Sequence, residues 1–138
     1  IRVRMSDYEP ELKRLMTIDL LGRRNAEHLL AEIGPDMSFF ASAANLVSWA
    51  GLCPGSEESA KKNRSGKTPK GNPWLRRALI EPSWNAARRK DGYLGAMYRG
   101  IAARRGSKRA VVAIARTILE AAWHVLSKGE EYKELGSN

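Results

Sequence analysis

The stretch "SKRAVVAIARTILEAAWHVLSKG", residues 107–129, decides the fold class. Val111, Ile114, Ala115, Ile118, Ala122, Val125 and Leu126 recur at intervals of three and four, so on a 3.6-residue repeat they form one broad apolar stripe. Gly129 ends the run, where a residue free to turn left-handed closes a helix. The spacing predicts a helix over 107–128 that belongs to a core.

The same periodicity continues upstream. From Arg23, "RRNAEHLLAEIG" puts Ala26, Leu29, Leu30 and Ile33 on one face and stops at Gly34 and Pro35. Leu12, Leu15 and Met16 give a shorter stripe after Pro10, and Gly22 punctuates. Thr17 to Gly34 thus reads as helix, tight turn, helix, in the manner of a helix-hairpin-helix, whose turn can offer backbone N–H groups to a DNA phosphate. In "SAANLVSWAGL", Ser42 is the expected N-cap, Leu46, Val47, Trp49 and Ala50 the apolar face, and Gly51 the stop; Trp49 is expected in the core. Pro73 opens a further helix with Leu75, Ala78, Leu79 and Ala86 on one face and Arg76, Arg77, Arg88 and Arg89 largely elsewhere. Pro82 should kink that helix or split it. Tyr93, Met97 and Ile101 then repeat every four residues up to Gly106. With no convincing strand, repeat or internal boundary, the reading is a single compact all-α domain over residues 1–138.

Charge narrows the function. The chain has 138 residues, 43% hydrophobic and 28% charged, enough for a real core, and a formal net charge of +9. That excess is local: residues 61–109 hold 15 Lys/Arg against 2 Asp/Glu, whereas residues 1–60 hold 6 against 9 and residues 110–138 hold 3 against 4. Such a block repels itself unless it is spread over a face that meets a polyanion, so nucleic acid is the leading partner. A membrane surface fits less well, because the block is not one amphipathic helix with bulky apolar residues opposite the charges. No apolar run is expected to approach the roughly 18 residues of a membrane span, and no signal-peptide pattern opens the chain.

The charge is densest in the polar, glycine-bearing connection 51–72, where Lys61, Lys62, Arg64, Lys67 and Lys70 precede any sizeable apolar residue. Connections of that length are usually functional or disordered. Lacking apolar anchors to offset its ordering entropy, this one is expected to be mobile and to be cut first by trypsin between Lys61 and Lys70. It also carries Ser56, Ser59, Ser65 and Thr68 among the cations. A serine needs a base or a metal to become a nucleophile, and cations to hold the phosphate it attacks; nothing in the chain obviously supplies the base. By composition alone these hydroxyls read as ordinary loop residues.

Other chemistry is sparse. His28 and His124 have no second histidine, cysteine or carboxylate at ligand spacing, so no metal site is expected. The single Cys53 excludes an internal disulfide and reads as a small buried apolar residue. The acidic residues lack the clustering of a two-metal nuclease. The residues taken alone describe a helical nucleic-acid-binding domain.

"LLAEIG", "FASAANLVSWAGLCPG", "ESAKKNRSGKTPKGNPWLRRAL" and "YLGAMYRGIAARRGSKRAVVAIARTILEAAWHVLSKGEEY", in that order, resemble the C-terminal transposase domain of the DEDD serine insertion-sequence transposases. These are relatives of the Piv/MooV invertases and include recombinases guided by a bridge RNA. The resemblance covers roughly residues 12–136 and is most specific in its middle, a serine followed by spaced glycines and then Gly-Asn-Pro-x-Leu-Arg. It implies a DNA strand cleaving and joining protein in which a preceding RuvC-like domain with four acidic residues binds Mg2+ and completes the active site. By motif position the attacking serine is Ser59, with Ser65 as the alternative, and Lys61, Lys62, Arg64, Lys67, Lys70, Asn72, Arg76 and Arg77 are the expected nucleic-acid contacts. Neither metal nor cofactor is expected on this chain. The implied partners are DNA, a guide RNA, the RuvC-like domain and further subunits, in the bacterial cytoplasm at the nucleoid. Because the chain begins at Ile1 without a methionine, a fragment is expected, one that binds nucleic acid without cutting it.

The sequence departs from the family pattern at three places. Lys61 stands where a glycine is usual, "IDLLG" replaces the usual "IPGIG"-like hairpin turn with its pair of glycines, and Pro82 falls where alanine is general. A diverged copy, binding nucleic acid without any chemistry, is the alternative.

Overall fold

The computed structural model describes residues 5–52 and 73–133, and among these every regular element is helical. Six α-helices run in order: α1 Glu9–Leu15, α2 Arg23–Ile33, α3 Ala43–Trp49, α4 Pro73–Trp84, α5 Tyr93–Arg105 and α6 Ser107–Lys128. Short 3-10 turns at Met5–Tyr8, Met37–Phe39 and Asn85–Arg88 extend α1, precede α3 and prolong α4.

The last helix is the centre of the packing. On α6, Val111, Ile114, Ala115, Ile118, Ala122 and Val125 are all buried, together with Ala110, Ala113 and Leu119. They are covered by α5, α4, α3 and α1 and by the Met37–Phe39 turn. By length and apolarity α6 could also cross a membrane, but half of its most apolar window is buried against the other helices, and core duty accounts for its composition. Gly129 closes it in the left-handed region at φ 64°. Around this axis, α2 buries Ala26, Leu29, Leu30 and Ile33, as its spacing predicts, and packs on α4 and α1.

Local signals bound α3 as expected. The Ser42 hydroxyl accepts from the Asn45 N–H at 3.1 Å. At the other end Gly51 turns left-handed at φ 77°, its N–H donating to the Ser48 carbonyl, while the Leu52 N–H reaches the Val47 carbonyl at 3.0 Å. Leu52 and Val47 are both buried. The 51–72 connection therefore begins with an apolar anchor that its overall composition hides. The expectations of mobility and early trypsin cutting concern residues outside the described ones.

Two further expectations are corrected, and of the two alternatives for Pro82 the split does not occur. Trp49 is 45% exposed rather than a core residue, its ring tilted against that of Phe40 at 5.3 Å between centroids. Met16, at the C-cap of α1 where the helix gives way to the turn, is exposed. Pro82 does not split its helix: α4 continues to Trp84 and only then tightens into the Asn85–Arg88 turn. Pro82 itself has no N–H to give the preceding turn. Next to it, the fully buried Ser83 hydroxyl donates to the Leu79 carbonyl at 2.6 Å, so this buried polar group is satisfied within its own helix.

The turn between α1 and α2 is shaped by polar contacts. Leu20 adopts φ 74°, a left-handed conformation that costs a side-chain-bearing residue energy. The Asp19 carboxylate accepts the Leu20 N–H at 3.0 Å and pairs with the Arg89 guanidinium at 2.8 Å, tying the turn to the segment after α4. Arg23, at the start of α2, bridges Glu9 of α1 and Glu27 one turn further on.

Candidate nucleic-acid interface

Arginine and lysine dominate residues 73–109, which carry ten of them against Glu81 and Asp91, and all ten are exposed. The fold puts them on the outer face of α4, in the connection 88–90, along α5 and at the α5–α6 corner. Apolar periodicity explains this: once Leu75, Ala78 and Leu79 of α4 turn inward, Arg76 and Arg77 are left facing solvent.

These cations divide by what they touch. Arg89 is engaged with Asp19, and the Arg99 guanidinium donates to the Arg89 and Lys90 carbonyls, closing the loop between α4 and α5. Both have internal work. The Arg104 Nε reaches back to the Gly100 carbonyl of its own helix at 3.2 Å, which leaves the outer edge of its guanidinium facing solvent. At the corner, Arg104 and Arg105 end α5, Gly106 reverses the chain at φ 93°, and Lys108 and Arg109 lie in the first turn of α6, which has no acidic residue. Cations in a first helical turn add to the positive end of the helix dipole instead of offsetting it, so the corner is a concentrated positive field.

Arg76 and Arg77 are the expected contacts that fall among the described residues, and they diverge. Arg76 points away from the buried face, whereas Arg77 lies over the Trp74 ring, 5.7 Å from its centroid. Ser59, Ser65, Lys61, Lys62, Arg64, Lys67, Lys70 and Asn72 lie outside the described residues, as does Cys53. His28 and His124 are both exposed, and among the described residues no group of three or more His, Cys, Asp or Glu could hold a metal ion.

The sequence reading did not single out a groove between α2 and α4. Arg24 and His28 line one wall, Trp74, Arg77 and Glu81 the other, around a volume of about 320 Å³. Trp74 is 64% exposed. The signal was available: Trp74, Arg77 and Glu81 stand at i, i+3 and i+7, one helical face, opposite Leu75, Leu79 and Pro82.

Electrostatics elsewhere are structural. The Arg23 guanidinium holds the Glu9 carboxyl below the ordinary carboxylate range, and Glu9 and Glu27 together raise the Arg23 pKa. Asp36, which caps the Met37–Phe39 turn by accepting the Ser38 N–H, is lowered by that bond.

Comparison with known proteins bears on what this basic surface meets. A family model described as "Transposase IS116/IS110/IS902 family" matches residues 12–99, from within α1 to within α5, which is more than half of the chain. The chain is also similar to the "Putative transposase y4pF/y4sB" of Sinorhizobium fredii (strain NBRC 101917 / NGR234), with 29% identity over 127 residues, 88% of this chain. It spans about a third of that relative's length.

Proposed function

Because this chain belongs to the IS116/IS110/IS902 transposase family, we propose that it is the DNA-binding, serine-bearing domain of an insertion-sequence recombinase. The observation that supports nucleic-acid binding is the set of exposed cations over residues 73–109, where ten basic residues face two acidic ones. Arg76 and the α5–α6 corner residues Arg105 and Lys108 contact phosphates, holding the polymer without reading its sequence. Lys61, Lys62, Arg64, Lys67, Lys70 and Asn72 extend that contact.

In this reading Ser59 is the nucleophile. Its oxygen attacks a DNA phosphorus, a Ser–O–P bond forms, the bond to one strand end breaks, and the departing DNA oxygen takes up a proton. Lys62 and Arg64 stabilise the charge on the phosphate oxygens. The base that accepts the serine proton, and a bound Mg2+, belong to a RuvC-like domain outside this chain. The isolated chain therefore binds DNA, or a guide RNA with it, in the bacterial cytoplasm, and leaves it uncut.

Two measurements test this. Binding of duplex DNA by the isolated chain should fall steeply with salt, and Arg105→Gln with Lys108→Gln should together reduce the log–log slope by roughly 2; affinity indifferent to salt would remove the electrostatic basis. In the full-length parent, Ser59→Ala should abolish the covalent DNA adduct seen on a denaturing gel while leaving binding intact. An adduct lost instead in Ser65→Ala would transfer the role to Ser65. An adduct that survived both substitutions would discard the serine-nucleophile reading, and the lack of any adduct in the unsubstituted parent would leave the second reading, a diverged copy that binds without chemistry, which the lysine at position 61 favours.

A further inference from the structure

Two arginines of the basic surface are engaged inside the fold, and both meet at one loop. Midway along α5, the Arg99 guanidinium donates to the Arg89 and Lys90 carbonyls, so one rigid planar fork spans two consecutive peptide units between α4 and α5. The Arg89 side chain pairs with Asp19 at 2.8 Å, and Gly95 of α5 packs directly against residue 89. Exposed connections are ordinarily the mobile parts of a fold, yet this one is held from α5 and from the α1–α2 turn. What the bracing presents is charge. Arg89 is extended (φ −81°, ψ 121°), and through an extended residue the two neighbours project to one side while its own side chain projects to the other. With Arg89 drawn to Asp19, Arg88 and Lys90 are left together on the opposite side, roughly 6.6 Å apart along the chain. Both are exposed, and neither side chain has an ion pair or hydrogen bond among the described residues.

We propose that Arg88 and Lys90 form a preorganised clamp on the phosphate backbone of a nucleic acid, with Arg99 as the positioning residue that keeps the clamp in shape. This rests on the nucleic-acid reading above and adds where the backbone is gripped and what readies the grip. The spacing lets the two cations share one phosphate or bridge two neighbouring ones, and a contact of that kind positions the polymer without reading its bases. A loop ordered before it binds has less freedom to give up on binding, so its two cations hold phosphate more tightly than the same charges on a mobile loop. Asp91 is the one carboxylate in the loop. Just ahead of the first turn of α5 it offsets the positive end of that helix, and it reduces without cancelling the two charges beside it.

The test titrates the 138-residue chain with a short DNA duplex over a range of salt. Arg88→Gln with Lys90→Gln should weaken binding and reduce the log–log salt slope by roughly 2, whereas Lys13→Gln with Lys128→Gln, the same loss of charge elsewhere on the surface, should leave the slope unchanged. Arg99→Lys keeps the charge and gives up the planar fork. Its slope should equal that of the wild type while its affinity falls by roughly twofold to tenfold, the range expected for ordering one long side chain on binding. Equal thermal midpoints would exclude misfolding. An unchanged slope in the Arg88 and Lys90 double variant, an equal change in the Lys13 and Lys128 pair, or undiminished affinity in Arg99→Lys would each overturn the proposal and leave the wild-type binding it builds on in place. Displacement of the duplex by poly-glutamate as readily as by unlabelled DNA of matched charge would assign the loop to an acidic protein and overturn it as well. A wild-type protein that bound no DNA would remove the nucleic-acid reading and the clamp together.

Discussion

Gly95 of α5 lies against residue 89 so closely that a Cβ at position 95 would be 2.7 Å from the Arg89 carbonyl oxygen and 2.9 Å from the Arg89 Cβ. Real side chains do not approach backbone at that distance, so α5 can take its place beside the end of α4 only because position 95 has no side chain. The same Arg89 carbonyl accepts from the Arg99 guanidinium, and the Arg89 side chain holds Asp19.

Gly95→Ala should therefore destabilise the domain, although alanine is the better helix former. Relief requires the backbone at residue 89 to move, at a cost of about 1–3 kcal/mol typical of overpacking. Urea unfolding should show the midpoint lowered with the slope unchanged; an unaltered midpoint would mean that the segment yields freely.

At Leu20 the usual order of alanine and glycine should reverse. Leu20→Ala and Leu20→Gly both give up the partly buried leucine side chain, but only glycine is released from the steric cost of φ 74°. The glycine variant should be the more stable of the two by about 1 kcal/mol. Finding alanine ahead would show that the turn relaxes to another conformation.

Acid should weaken the α1–α2 junction. The Glu9 carboxyl is lowered in the folded chain, first by its hydrogen bond from Arg23 and also by the charges of Arg23 and Lys13. A lowered carboxylate contributes stability that is present above its unfolded pKa, about 4.3, and is lost as pH falls through the folded value. Glu9→Gln should lower the neutral plateau of a stability–pH profile slightly, because the pair is exposed, leave stability in acid unchanged, and so flatten the acid limb below about pH 5. A parallel profile for the variant would place the acid sensitivity elsewhere, with Asp36 as the next group to substitute.

The core was legible in the sequence wherever spacing alone decides burial. Ala26, Leu29, Leu30 and Ile33, and the inner face of α6, lie inside as their periodicity requires. Residues at the edge of a stripe were not. Trp49 lies about 100° from the centre of the Leu46, Val47 and Ala50 face, and whether such a residue is covered depends on which neighbour arrives there. Leu52 was hidden by the polar sequence that follows it, since its burial comes from the hydrogen bonds that close α3. Arg89 and Arg99 read simply as charge, because their work is to bind groups from other parts of the chain. Trp74 was passed over because only the pairing of α2 with α4 brings Arg24 and His28 to its side.

The helix on which the others assemble is also the last of the six in chain order. α1, α3 and α4 each have their apolar face turned to α6, so as the chain emerges from a ribosome its earlier helices have no finished surface to settle on until residues beyond Ser107 follow. Those contacts close over long stretches of chain, which defers the gain from burial until after the entropy of closure has been met. A frameshift or stop codon before α6 would leave the preceding helices exposed to proteases and chaperones rather than a smaller working domain. Damage to this one helix would therefore silence the whole domain at once.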